Sequence, residues 1–166
     1  MGIDFPDRYE CIISGYVKKH NSEKLKELNK ILSEIPEETE EEEKFKEELK
    51  NKYPEDEWEI EESFFTFLKN MKIKVDNKGY LEVTPSNFIY DDYDPICEAD
   101  FYFLAKWLSR IIEDGKAEIE ITNTDTGEKT KYIIKPNKVI EEESITVPTE
   151  LKEKIKKLIE EYHQST

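Results

Sequence analysis

The run Asp94-Pro95-Ile96-Cys97-Glu98-Ala99-Asp100-Phe101-Tyr102-Phe103-Leu104-Ala105-Lys106-Trp107-Leu108-Ser109-Arg110-Ile111-Ile112-Glu113-Asp114-Gly115 decides the fold. Asp94 can accept hydrogen bonds from the free amides of a first helical turn, and Pro95 suits the first helical position, so a helix is predicted to start here. Phe101, Leu104, Ala105, Leu108, Ile111 and Ile112 recur at three- and four-residue spacing. Phe103 and Trp107 widen the apolar arc beyond that of a surface helix, which makes this the central helix of the protein. Gly115 then offers the left-handed conformation that closes a helix before the period changes to two.

Downstream, residues 117–122 alternate Ala117, Ile119 and Ile121 with Glu118 and Glu120, as a strand with one buried and one wet face does. A turn containing Gly127 leads to a returning strand at 129–135. Pro136-Asn137 turns the chain again into a third strand at 138–143, completing a meander. Upstream, 71–75 and 80–84 form a β-hairpin around Asp76-Asn77-Lys78-Gly79, because Asn and Gly tolerate the positive φ angles of tight turns. Pro85 ends its second strand. Residues 9–17 are β-branched and aromatic enough for a first strand, with Gly15 as a bulge.

Helices fill the gaps. Asn21 or Ser22 caps a segment that sets Leu25, Leu28, Ile31, Leu32 and Ile35 on one face. Residues 37–52 carry only a narrow seam of Phe45, Leu49 and Tyr53 and should be an exposed helix. The segment 58–71 mixes helical spacing with strand formers and is read as a helix. Thr149 caps a last helix whose Leu151, Ile155, Leu158, Ile159 and Tyr162 stripe is expected to dock on the rest of the chain. The sum is an α+β fold over a single domain, 1–166. An antiparallel sheet of hairpin plus meander covers a central apolar helix, with additional amphipathic helices and an acidic helical insertion at about residues 36–62.

Charge is the strongest functional signal. The 166 residues carry a net charge of −15, with 36% hydrophobic and 39% charged residues. Residues 34–62 hold fifteen acidic and four basic side chains, and residues 88–100 hold five acidic and none basic, so the remainder is close to neutral. Such fields repel nucleic acid and membrane phosphates and speed encounter with basic partners. Two patches emerge as candidate contact surfaces. One is the glutamate block Glu37, Glu38, Glu40, Glu41, Glu42 and Glu43. The other is Tyr90, Asp91, Asp92, Tyr93 and Asp94, where tyrosines would anchor an interface and aspartates would pair with Arg or Lys across it.

Motifs of chemistry are missing from the sequence. Cys11 and Cys97 share no metal-type spacing, His20 and His163 stand at element ends, and single scattered glycines make no phosphate-cradling loop. Asp91, Asp92, Asp94 and Glu98 lack the spacing of a calcium loop, and no cofactor is expected. Without a transmembrane-length apolar run or a basic leader, the expected compartment is the cytoplasm.

The reading that follows is an acidic, non-enzymatic binding protein that contacts a basic, nucleic-acid-handling protein rather than nucleic acid or membrane, by carboxylates that imitate phosphates. In general character it resembles inhibitors carried by phages and mobile elements and immunity proteins against nuclease toxins, a likeness of composition and not of motif. The alternative is a small enzyme or ligand-binding domain with a pocket between sheet and central helix, faced by Trp107, Tyr102 or Cys97.

Overall fold

Helix α4, Glu98–Ile111, is the axis of the molecule. Phe103, Leu104 and Leu108 are almost completely buried on it, each worth about 1.5–3 kcal/mol of transfer free energy. The computed structural model describes residues 7–85, 87–145 and 149–164. Around α4 lie strands β1 (Arg8–His20), β2 (Lys72–Val75), β3 (Leu81–Thr84), β4 (Asn87–Asp91), β5 (Ile112–Asn123), β6 (Glu128–Lys135) and β7 (Lys138–Ile145). The other helices are α1 (Ser22–Glu34), α2 (Thr39–Lys52), α3 (Glu57–Glu62) and α5 (Thr149–Gln164). Strands β4-β1-β5-β6-β7 make one antiparallel sheet, and β2-β3 make a second. The architecture is α+β, as the patterning predicts.

Alternation orients the large sheet. Cys11, Ile13, Ile119, Ile121, Tyr132 and Ile134 are buried toward α4, while Glu118, Glu120, Lys129 and Lys131 form an ion-pair ladder on the other face, closest at 2.9 Å between Lys129 and Glu120. Asn21 caps α1, its Oδ1 accepting the Lys24 N–H at 3.0 Å, and Leu28 and Leu32 join the α4 core. Leu49 of α2 and Ile60 of α3 belong to the same cluster. Polar groups also tie this acidic segment to α4. Asp56, 1% exposed, accepts two hydrogen bonds from Arg110 and stands 3.1 Å from Lys106.

Several expectations change. The central helix starts at Glu98 rather than Pro95, because the buried Asp100 carboxylate accepts the Cys97 N–H at 2.9 Å and fixes the first turn there. It ends at Ile111, and Gly115 lies inside β5 with φ +118, where a Cβ would approach the Tyr16 carbonyl oxygen to 2.4 Å. Gly15 is not a bulge. It pairs in register with Ala117, the shifts falling between Val17 and His20, and its missing side chain permits the close approach of the two strands.

Residues 87–91 form an edge strand paired with β1, so Phe88 and Tyr90 turn inward while Ile89 stands 74% exposed. The segment 58–71 splits into most of the short helix α3 and a 3₁₀ turn at Thr66–Leu68, separated by residues 63–65, of which Phe65 is left-handed. The predicted docking of the last helix does not hold at Ile155, Leu158 and Ile159. On α5, Ile155, Leu158 and Ile159 remain 45%, 64% and 53% exposed; Leu151 lies outside the residues whose side chains are described. Among the described residues no helix is long and apolar enough to cross a membrane.

Candidate functional site

Residues opposite one another in an antiparallel pair share a face of the sheet. That rule assembles a site from segments far apart in the chain. Tyr9 pairs with Tyr90, and their rings stack with centroids 5.0 Å apart and planes 17° apart. At the other side of the sheet Tyr132 pairs with Glu141 and Thr130 with Glu143. The start of α4 closes the space above with Ile96, Cys97, Glu98 and Phe101. Together with Asp91, Asp92 and Ile121, these residues line an open cleft of about 340 Å³, at the lower end of the range of roughly 300–1,000 Å³ typical of ligand clefts.

The electrostatics of the cleft are strongly negative. Burial, with the Asp92 carboxylate in hydrogen-bond contact, pushes the Tyr9 hydroxyl up to about 12. Burial also raises the hydroxyl of Tyr132, which is 1% exposed, and the nearby Glu141 and Glu98 charges add to it, Glu98 also by a hydrogen bond. Glu141 is itself raised from its ordinary value, first by burial and then by Glu98. Two carboxylates facing each other resist simultaneous ionisation. Among the described residues none of Asp91, Asp92, Glu98, Glu141 and Glu143 forms an ion pair, whereas Glu27, Asp56, Glu59, Glu61, Glu118 and Glu120 all do.

The sequence-predicted patches fare differently. Asp91 and Asp92 line the cleft, and Tyr90 lies in its wall. Tyr93 is 79% exposed beside it. Asp94 serves the turn rather than a helix cap, its Oδ2 accepting the Asp91 N–H at 2.9 Å, while Asp91 Oδ1 accepts the Tyr93 N–H at 2.9 Å. Asp92 Oδ2 accepts the Asp7 N–H at 2.9 Å.

The glutamate block is a separate surface. Glu37 pairs with Lys69 at 3.3 Å and Glu42 with Lys46 at 3.5 Å. Glu38 stands at the N-cap of α2 without a side-chain cap, and Glu40, Glu41 and Glu43 are exposed. Glu42 and Glu43 border a groove of about 400 Å³ with Lys46, Glu47, Lys50 and Glu61, so lysines dilute its charge.

Of the three residues considered for a pocket, Cys97 lines the cleft. Its S–H donates to the Glu62 carbonyl at 3.2 Å, and burial, followed by the Asp100 charge, raises the thiol. It is therefore a protonated thiol at neutral pH and a poor nucleophile. Tyr102 packs beside Tyr132, with the Lys106 ammonium 5.7 Å from its ring. Trp107 sits among Tyr53, Phe103 and Arg110, and its indole N–H has no acceptor among the described residues.

Tyr9, Thr130, Tyr132, Glu141 and Glu143 are not marked as site residues by the sequence, and Glu98 enters there only as a rejected metal ligand. The alternation in 139–143 carries a signal, since Glu141 and Glu143 fall in phase with Val139, but only strand register brings them to Tyr132 and Thr130. Among the described residues no group of three or more Asp, Glu, His or Cys side chains is arranged to hold a metal ion. Compared with protein-family models, curated proteins and solved structures, the chain matches none.

Proposed function

We propose that this is a non-enzymatic acidic binding protein that engages a basic protein surface of the kind that handles nucleic acid, and that it blocks that surface by standing in for phosphates. One observation supports the reading above the rest: the acidic lead-in to α4 and two distant glutamates surround a tyrosine-lined cleft whose carboxylates have no ion-pair partner among the described residues. Carboxylates left unpaired on a rigid frame of sheet and helix favour steering and complementary docking of a positive surface. The glutamate block on α2, partly paired with its own lysines, contributes long-range attraction more than docking.

The test is capture from a cell lysate by the immobilised protein at low and raised salt, with heparin as competitor. Expected is retention of a basic nucleic-acid-binding protein, released by salt and by heparin. If nothing basic is retained while a small neutral metabolite raises the melting temperature, the binding-protein reading falls in favour of a ligand-binding domain.

A further inference from the structure

Forty acidic residues make any one cluster unremarkable, so the cleft must be distinguished by more than charge. Three features do so. It is enclosed on two sides, by the sheet face of β1, β4, β6 and β7 and by the first turn of α4. Its walls are aromatic, with the Tyr9–Tyr90 stack at one side and Phe101 6.0 Å from Tyr90. Deep in it lies a polar side chain, Tyr132, 1% exposed and paired across the sheet with Glu141.

Carboxylates beside aromatic rings suit one chemistry in particular. A planar guanidinium stacks on aromatic rings and donates in parallel to carboxylate oxygens, whereas an ammonium is a compact and more strongly hydrated charge. We propose that the cleft receives a single arginine side chain from the basic partner, its guanidinium held among Glu98, Glu141 and the Tyr9–Tyr90 stack. This rests on the binding-protein reading and deepens it by assigning the anchor point. Glu98 and Glu141, which both line the cleft and have no ion-pair partner among the described residues, accord with it.

The test is amide chemical-shift mapping on the full chain with N-acetyl-arginine methylamide, against its neutral isostere N-acetyl-citrulline methylamide. Expected are shifts at Cys97, Glu98, Tyr132 and Glu141 with the arginine probe alone. The Glu98→Gln/Glu141→Gln variant, which removes a repulsive pair and is expected to fold, should bind about tenfold or more weakly. The Glu42→Gln/Glu43→Gln variant on α2 should bind as the parent does. Equal shifts with the citrulline probe, or shifts that follow the α2 surface, overturn the proposal. So does a basic partner whose affinity is unchanged by Glu98→Gln/Glu141→Gln, an outcome that leaves the binding-protein reading standing. Failure to bind any basic protein overturns that reading instead, and is seen in the capture experiment rather than in the shift map.

Discussion

Arg110 holds Asp56 with both terminal guanidinium nitrogens, Nη1 to Oδ2 at 2.5 Å and Nη2 to Oδ1 at 2.7 Å. Asp56 is buried just before α3 and Arg110 ends the last turn of α4, so this pair fastens the acidic segment to the central helix. Removing one partner of such a pair leaves a buried charge, a loss of about 3–5 kcal/mol. Lys106, 3.1 Å from Asp56, compensates in part. Arg110→Ala is therefore expected to cost about 3 kcal/mol, the lower end of that range, read from urea unfolding with an unchanged m-value.

The same pair sets an acid limb. Burial alone would raise the Asp56 carboxyl, but hydrogen bonds and charge from Arg110 and Lys106 outweigh it and hold the group below its ordinary value. A depressed folded-state value contributes stability above the unfolded value, near 3.8, and that contribution is lost as pH falls through the folded one. Unfolding midpoints measured between pH 6 and pH 2 should fall less steeply for Asp56→Asn than for the parent.

Glu141 should behave in the opposite sense. Its raised folded-state value means its contribution is fully present below the ordinary glutamate range and is lost as pH rises through the folded value. Glu141→Gln is expected to have a higher melting temperature than the parent at pH 7, with the difference gone at pH 3.5. A parent that is the more stable at pH 7 would contradict the electrostatic picture of the cleft.

Asp100 is fully buried and accepts hydrogen bonds from the Cys97 N–H, the Phe65 N–H at 2.8 Å and the Ser63 hydroxyl. Asp100→Ala leaves the part-buried Cys97 N–H without its acceptor and the buried Phe65 N–H with only the Ser63 hydroxyl at 3.3 Å, a loss of about 1–3 kcal/mol. Ser63→Ala removes one donor and should cost about 1 kcal/mol. Thermal unfolding of the two variants should rank them in that order.

Polar replacement of α5 should cost little. Ile155→Ser/Leu158→Ser alters exposed positions, and the unfolding free energy is expected to stay within about 0.5 kcal/mol. Gly115→Ala, by contrast, forces a side chain into φ +118 and against the Tyr16 carbonyl, and should destabilise by at least about 1 kcal/mol.

Local pattern made much of the fold legible. The apolar arc of residues 101–112 marked the central helix, the alternation of 117–122 marked a strand, and Asp76–Gly79 marked a turn, because each depends on neighbours in the chain. Element ends were less legible. Asp94-Pro95 does not mark the helix start, because the Asp100 carboxylate that fixes it at Cys97 is itself held by Phe65 and Ser63, contacts no local window contains. Strand β4 was missed because pairing with β1, rather than its own alternation, makes it a strand.

Charge and periodicity along the chain were thus enough to establish an acidic α+β protein with a buried helix and an aromatic-acidic entrance to it. Tertiary structure alone decided that this entrance is one wall of a cleft. Tyr9, Glu98, Tyr132 and Glu141 meet there through strand register and the seating of α4, and register is a property of pairs of strands that no single segment encodes.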